Sequence, residues 1–99
     1  MRGHIKPIDA ELGKRLRAFR RAAGLSQTQL GAAVGITFTQ VQKYEKAVDR
    51  ISAGTLYELA HALGVDHSRF FEKIKPTSPK VKPKKKPRRS EPLRDATMA

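Results

Sequence analysis

The sequence has 99 residues, which is enough for one small folded domain of modest stability. It contains no cysteine, which excludes disulfide bonds and thiolate metal sites. Lysine and arginine number 21 against 9 aspartate and glutamate, and the resulting formal charge of +12 indicates a polyanionic partner, either nucleic acid or an acidic membrane surface.

After a flexible lead at residues 1–7, the sequence predicts five successive helices, because capping residues, apolar stripes and stop signals agree. Leu12, Leu16 and Phe19 form the stripe of the first helix. The last helix is short and carries Phe70 and Phe71. No useful β-pattern is present, so we predict an all-α fold. The predicted helix caps are Asp9, Ser26, Thr37, Ser52 and Asp66.

The composition changes abruptly after the last predicted helix. Residues 1–72 hold 11 basic and 7 acidic side chains, whereas residues 73–99 hold 10 basic and 2 acidic ones and are interrupted by prolines. Few apolar side chains are available there to offset the entropy of ordering. We therefore predict a folded domain at residues 8–74 and a disordered Lys/Pro-rich tail at residues 75–99.

The stretch from Gln27 to Lys46 has the spacing of two short helices that meet across a tight turn. Gly31 falls where the helices would cross closely, and Gly35 falls in the turn, where a positive φ is easiest for glycine. In a basic chain this pattern indicates a helix-turn-helix, with an ordinary helical hairpin as the alternative. The apolar wedge would consist of Leu30, Val34, Ile36, Val41 and Tyr44.

Residues 8–72 resemble the Cro/phage-repressor-type (XRE-like) helix-turn-helix domain. The resemblance rests on the segments GKRLR at 13–17, GLSQ at 24–27, GIT at 35–37, QKYE at 42–45 and LGV at 63–65, followed by the phenylalanine pair at 70–71. It implies a compact five-helix lambda-repressor-like DNA-binding domain. It does not extend to the basic tail.

The resemblance implies that the third helix, at residues 37–46, is the recognition helix in the major groove. Gln42 is suited to adenine and Lys43 to guanine. Phe38 is suited to a thymine methyl group, with packing against the second helix as the alternative. The implied base-reading residues are Thr37, Phe38, Thr39, Gln42 and Lys43.

The resemblance also implies phosphate contacts from Gln27, Lys46 and Arg50, and a structural ion pair between Arg20 and Glu45. One departure concerns the residue after Lys46. Similar domains often have glycine there, whereas this sequence has Ala47, and a positive φ would strain it by about 1 kcal/mol.

The tail carries cations on an extended, proline-interrupted segment that cannot read sequence. We expect it to make DNA association tighter and more salt-sensitive. A solubilising tail, or one that binds RNA or an acidic protein surface, is the alternative. The expected phosphate contacts are Lys84, Lys85, Lys86, Arg88 and Arg89.

Together these patterns predict a sequence-specific DNA-binding transcriptional regulator, a repressor, that binds a palindromic operator as a homodimer. Phe71 and Ile74 supply the expected dimer contact, while Phe70 is equally suited to the monomer core. The alternatives are an antitoxin or another partner-binding helix-turn-helix protein, and a sequence-blind architectural DNA-binding protein.

Other classes lack their signatures in this sequence. The three histidines are scattered, and there is no phosphate-binding glycine loop or nucleophile elbow, so we expect no enzyme, metal, cofactor or small-molecule ligand. The sequence also lacks a secretory signal and any apolar run near the ~20 residues of a membrane span. We therefore expect a cytoplasmic, nucleoid-associated protein without membrane contact.

Overall fold

The computed structural model describes residues 6–76 and 79–81. No strand occurs within these residues, which agrees with the all-α prediction. The helices are α1 (Pro7–Ala22), α2 (Gln27–Val34), α3 (Phe38–Glu45) and α4 (Ala53–Leu63), followed by a 3-10 turn (His67–Phe70). Most of the predicted tail and most of the predicted lead lie outside the described residues.

The prediction of a fifth α-helix is wrong. His67–Phe70 form a single 3-10 turn, and the N–H of Phe71 donates to the carbonyl of Ser68 rather than one residue further back. The chain then reverses at Lys73, whose φ is 61°, and reaches Pro76, before which a helical conformation is disfavoured. These features leave no room for a second turn.

The start of α1 also differs from the prediction. The helix begins at Pro7, where the missing N–H of proline costs nothing, and Lys6 occupies the capping position. Asp9 lies one turn inside the helix and accepts the Lys6 backbone N–H at 2.9 Å. Asp9 therefore stabilises the helix start from within the first turn, where its charge also suits the helix dipole.

The remaining caps follow the prediction. Ser26, Thr37 and Ser52 each accept a backbone N–H from three residues further on, at 3.0–3.1 Å. Asp66 accepts the backbone N–H and the hydroxyl of Ser68 at 2.9 and 2.8 Å. These two hydrogen bonds hold the pKa of Asp66 below its usual value, because both favour the ionised carboxylate.

The core draws side chains from every helix. Phe70 is fully buried and meets the half-buried ring of Phe19 edge to face, with 4.9 Å between ring centroids. Phe70 therefore belongs to the monomer core. The other buried apolar residues are Leu12, Leu16, Leu30, Val41, Leu56, Leu59, Ala60 and Leu63.

Two glycines let α3 approach its neighbours backbone to backbone. A Cβ on Gly13 of α1 would lie 2.5 Å from the Tyr44 carbonyl oxygen, and a Cβ on Gly31 of α2 would lie 2.6 Å from that of Ile36. Larger side chains at either position would force the helices apart. The end of α3 is thus fixed against α1, and the turn that precedes α3 is fixed against α2.

A buried ion pair joins α1 to the last turn of α3. Arg20 Nε and Nη2 donate to the two carboxylate oxygens of Glu45 at 2.7 and 3.2 Å, and Nη1 donates to the Leu25 carbonyl at 2.8 Å. The two charged side chains are only 12% and 3% exposed. This bidentate geometry, extended to the α1–α2 turn, fixes three segments relative to each other.

We expect Arg20→Met and Glu45→Leu, each alone, to lower the free energy of unfolding by about 3 kcal/mol, because the remaining charge would be buried without its partner. The double variant should lose less than the sum of the two, since both charges leave together. Urea unfolding followed by circular dichroism measures all three values.

The matched control is Lys14→Ala, because the Lys14 ammonium lies 3.7 Å from Glu11 on the surface. A surface pair of this kind should change the unfolding free energy by no more than about 0.5 kcal/mol. Strict additivity in the double variant would show that Arg20 and Glu45 are not coupled.

The loop after α3 contains a backbone conformation that alanine disfavours. Ala47 has a φ of 58°, so the strain expected from the sequence is present. The Lys43 carbonyl accepts the N–H groups of Val48 at 2.8 Å and Asp49 at 3.3 Å. These bonds fold the loop back onto α3 and hold Ala47 in the left-handed region.

We expect Ala47→Gly to raise the free energy of unfolding by about 0.5–1 kcal/mol, because relief of strain exceeds the added entropy of the unfolded chain. Ala18→Gly, at an exposed position inside α1, should lower it by about 1 kcal/mol. Thermal unfolding distinguishes the two, and equal losses would exclude strain at Ala47.

Candidate nucleic-acid interface

The helix α3 presents one face to solvent and the other to the core. Val41 is fully buried and Tyr44 is half-buried on the inner side. The predicted base-reading residues all lie on the outer side: Thr37, Phe38, Thr39 and Lys43 are exposed, and Gln42 is half-buried. Because Phe38 and Gln42, like Thr39 and Lys43, are four residues apart, they are neighbours on the helix surface.

The phenyl ring of Phe38 is 53% exposed. It is not among the apolar side chains that pack against the core. The only other aromatic residue of α3, Tyr44, faces inward and packs on the core. The outer face of α3 therefore combines an apolar tip with an amide and an ammonium group one turn further on.

Gln40 is a polar residue of α3 that sequence reasoning left unassigned. Its amide donates to the Asp49 carboxylate at 3.1 Å, and its backbone N–H donates to the Thr37 hydroxyl at 3.1 Å. The loop after α3 is thus tied to the middle of the helix by side chains as well as by backbone. No sequence spacing signals this contact, because it depends on the fold-back at Ala47.

Gln27 lies at the start of α2, as predicted, but its side chain is half-buried and points to the ion pair. Its amide Nε2 donates to Glu45 Oε1 at 3.1 Å. Glu45 therefore accepts hydrogen bonds from both Arg20 and Gln27. What α2 offers to an anion is chiefly the backbone N–H groups of Gln27 and Thr28, because Ser26 accepts those of Gln29 and Leu30.

A polar cleft of about 440 Å³ opens between α1, α2 and α3, beside this network. Gln42 lines it together with two exposed cations, Arg17 and Lys46. Sequence reasoning identified Lys46 and missed Arg17. The signal was available, since Arg17 precedes Arg20 by three residues and so lies on the same face of α1.

Arg50 lies away from this cleft. Its Nε is 3.4 Å from the Asp9 carboxylate in the first turn of α1, and its side chain is 50% exposed. The predicted phosphate contact is thus part of an ion pair in this structure. The predicted tail contacts at residues 84–89 lie outside the described residues.

The predicted dimer residues separate in the structure. Phe71 is 42% exposed and lines an apolar groove of about 330 Å³ with Ile51, Leu56 and Tyr57. Ile74 is half-buried, packs against the monomer core and lines a different groove, beside α1. Phe71 and Ile74 therefore line separate grooves, with Lys73 in the turn between them, and the dimer contact at these two residues stays a prediction.

Residues 6–76 and 79–81 contain no group of three His, Asp or Glu side chains suited to holding a metal ion. Among the helices described, none combines the length and apolarity needed to cross a membrane. The chemistry that this surface offers is hydrogen bonding, positive charge and apolar contact.

The sequence of this chain is similar to those of known proteins. An uncharacterised helix-turn-helix-type transcriptional regulator of Sinorhizobium fredii is 52% identical over 65 residues, which are 66% of this chain and 46% of that protein. The chain spans about half the length of the curated relatives it matches.

Two solved structures are also similar. The restriction-modification controller protein C.AhdI of Aeromonas hydrophila has a TM-score of 0.61 and 32% identity, covering 63% of this chain and 94% of that one. The P22 c2 repressor, solved in complex with a synthetic operator, has a TM-score of 0.56 and 25% identity, covering 60% of this chain and 89% of that one.

The profile of the helix-turn-helix family matches residues 16–70, which is more than half of the chain and includes α2, the turn and α3. The match covers the Arg20–Glu45 pair and the close contact at Gly31, whereas the contact at Gly13 lies just before it. This chain belongs to the Cro/phage-repressor-type helix-turn-helix family.

Proposed function

We propose that this chain is a transcriptional repressor that binds a palindromic DNA operator as a homodimer and reads it with α3. The observation that carries the proposal is the outer face of α3, which is exposed while the inner face is fixed by the core, two glycine contacts and a buried ion pair. The likeness to the P22 c2 repressor, which was solved with an operator, supports it. DNA binding would place the protein on the nucleoid.

In this proposal α3 lies in the major groove, with Gln42 and Lys43 bonded to base edges. The phosphates on one side would meet the polar cleft, where Arg17 and Lys46 supply charge. The first-turn N–H groups of α2 open beside the same cleft, where Ser26 and Gln27 line it. Arg50 would exchange Asp9 for a phosphate or contact both.

The dimer contact is proposed at Phe71 and Ile74, and the apolar groove around Phe71 adds Ile51 and Tyr57 to it. Tyr57 is 60% exposed and lies beside the His67 ring, with 5.8 Å between centroids, so two aromatic side chains border an apolar surface. A two-fold axis there would set two recognition helices about 34 Å apart, one turn of DNA, which matches a palindromic site.

A binding selection from random duplex DNA tests the proposal, and we expect a palindromic motif. On the selected site Gln42→Ala and Lys43→Ala should each weaken binding by about 1–3 kcal/mol, and on random DNA by little, because the hydrogen bonds that these variants remove are to bases. Fluorescence anisotropy titrations at fixed salt measure both values.

Glu58→Ala is the matched control, since Glu58 is exposed on α4, outside the proposed contacts, and should leave both affinities unchanged. Equal losses of affinity on selected and random DNA would show that the two residues do not read bases. A motif without two-fold symmetry would contradict the dimer, and the absence of any motif would favour the architectural or partner-binding alternative.

The basic tail is proposed to add phosphate contacts without sequence preference. Replacing its clustered cations by glutamine should weaken binding and flatten the dependence of log K on log salt by about 0.9 for each phosphate that the tail no longer neutralises. The selected motif should stay the same. The five replaced residues are Lys84, Lys85, Lys86, Arg88 and Arg89.

The control exchanges the three lysines of this set for arginine, which keeps the charge and should keep the salt dependence. An unchanged slope in the glutamine variant would indicate a solubilising tail. Loss of the motif in that variant would make the tail the reader of sequence.

A further inference from the structure

The first turn of α3 carries an aromatic ring that the domain itself does not bury. Phe38 is the first residue of the helix and is 53% exposed, whereas the core takes Val41 from the same helix. About half of the residue is still in contact with water, so a binding partner that covered it would remove further apolar surface from solvent. The first turn of the proposed recognition helix therefore carries an apolar surface that a ligand could cover.

Two polar side chains close to Phe38 in the sequence are engaged within the protein, whereas Thr39 is exposed. The Thr37 hydroxyl accepts the Gln40 backbone N–H, and the Gln40 amide donates to Asp49. The polar side chain that lies one turn from the ring on the same face is Gln42, four residues further along the helix. The tip of α3 thus offers an apolar surface, while hydrogen bonding is left to Gln42 and Lys43 further along the helix.

Only one kind of apolar group projects from base edges into the major groove, namely the methyl group at C5 of a pyrimidine. Thymine carries this methyl group, and so does 5-methylcytosine at the same position of the ring, whereas cytosine and uracil lack it. We propose that Phe38 is a specificity-determining residue that recognises a 5-methylpyrimidine in the operator. This inference rests on the proposed function, since it requires α3 in the major groove.

The proposal has a consequence for modified DNA. A side chain that contacts only the methyl group does not distinguish thymine from 5-methylcytosine. Methylation of a cytosine at the position facing Phe38 should therefore strengthen binding rather than block it. Hydrogen-bonding readers such as Gln42 and Lys43 recognise other edge atoms and do not provide this response.

The test uses the full chain and the duplex selected from random DNA. Each thymine is replaced singly by deoxyuridine, which removes only the methyl group, and one symmetric position should lose about fourfold in affinity, the worth of one buried methyl group. At that position 5-methylcytosine should bind about fourfold more tightly than cytosine. Anisotropy titrations measure the ratios.

Phe38→Ala should bind the thymine and deoxyuridine duplexes equally and lose the response to cytosine methylation, while it still prefers the selected site over random DNA. Val48→Ala is the matched control, because it shortens an exposed apolar side chain in the loop after α3 and should keep both fourfold ratios. Retention of the ratios in Phe38→Ala overturns the assignment.

The outcomes separate this inference from the function on which it rests. A chain that selects a site but binds every deoxyuridine form as tightly as the thymine form overturns the inference and leaves the proposed function standing. A chain that selects no site overturns both. A deoxyuridine penalty that disappears in Phe38→Ala supports both.

Discussion

The position of α3 depends on a charge interaction as well as on apolar packing. This helix packs the fully buried Val41 and the half-buried Tyr44 against the core. The Arg20 guanidinium adds a directional contact, because it binds Glu45 at the end of α3 and the Leu25 carbonyl at the α1–α2 turn. Gln27 adds a bond from α2 to the same carboxylate. A buried guanidinium would cost free energy of folding if it had no partner. Paired with Glu45, it instead holds three segments of the chain together.

Hydrogen bonds within the protein limit the number of side chains near the interface that are left to bind a ligand. Gln27 and Gln40 look like free amides in the sequence, yet one supports Glu45 and the other holds Asp49. Two of the glutamines near the interface are therefore structural, and Gln42 is the glutamine of α3 to which the proposal gives a base contact. The outer face of α3 therefore has few polar side chains to offer beside the exposed ring of Phe38. This is fewer hydrogen-bonding groups than its amino-acid composition suggests.

Short-range sequence patterns predicted much of the fold and less of the candidate site. Caps such as Ser26 and Thr37 could be predicted, because each depends on residues three apart in the chain. The chain reversal at Lys73, which separates Ile74 from Phe71, could not, because a left-handed non-glycine residue has no sequence signature. The bond from Gln27 to Glu45 also escaped, since its partners are 18 residues apart and meet only after α3 has docked.

The close contact at Gly13 bears on which residues of α3 can change in sequence while the fold is kept. Its neighbours are the carbonyl oxygens of residues 44 and 45, which any amino acid would supply, so this contact between α1 and α3 does not depend on the side chains of the outer face. Thr37 is the outer residue with a structural part, because its hydroxyl caps α3. The side chains that α3 exposes beyond its cap can therefore change while this contact with α1 is kept.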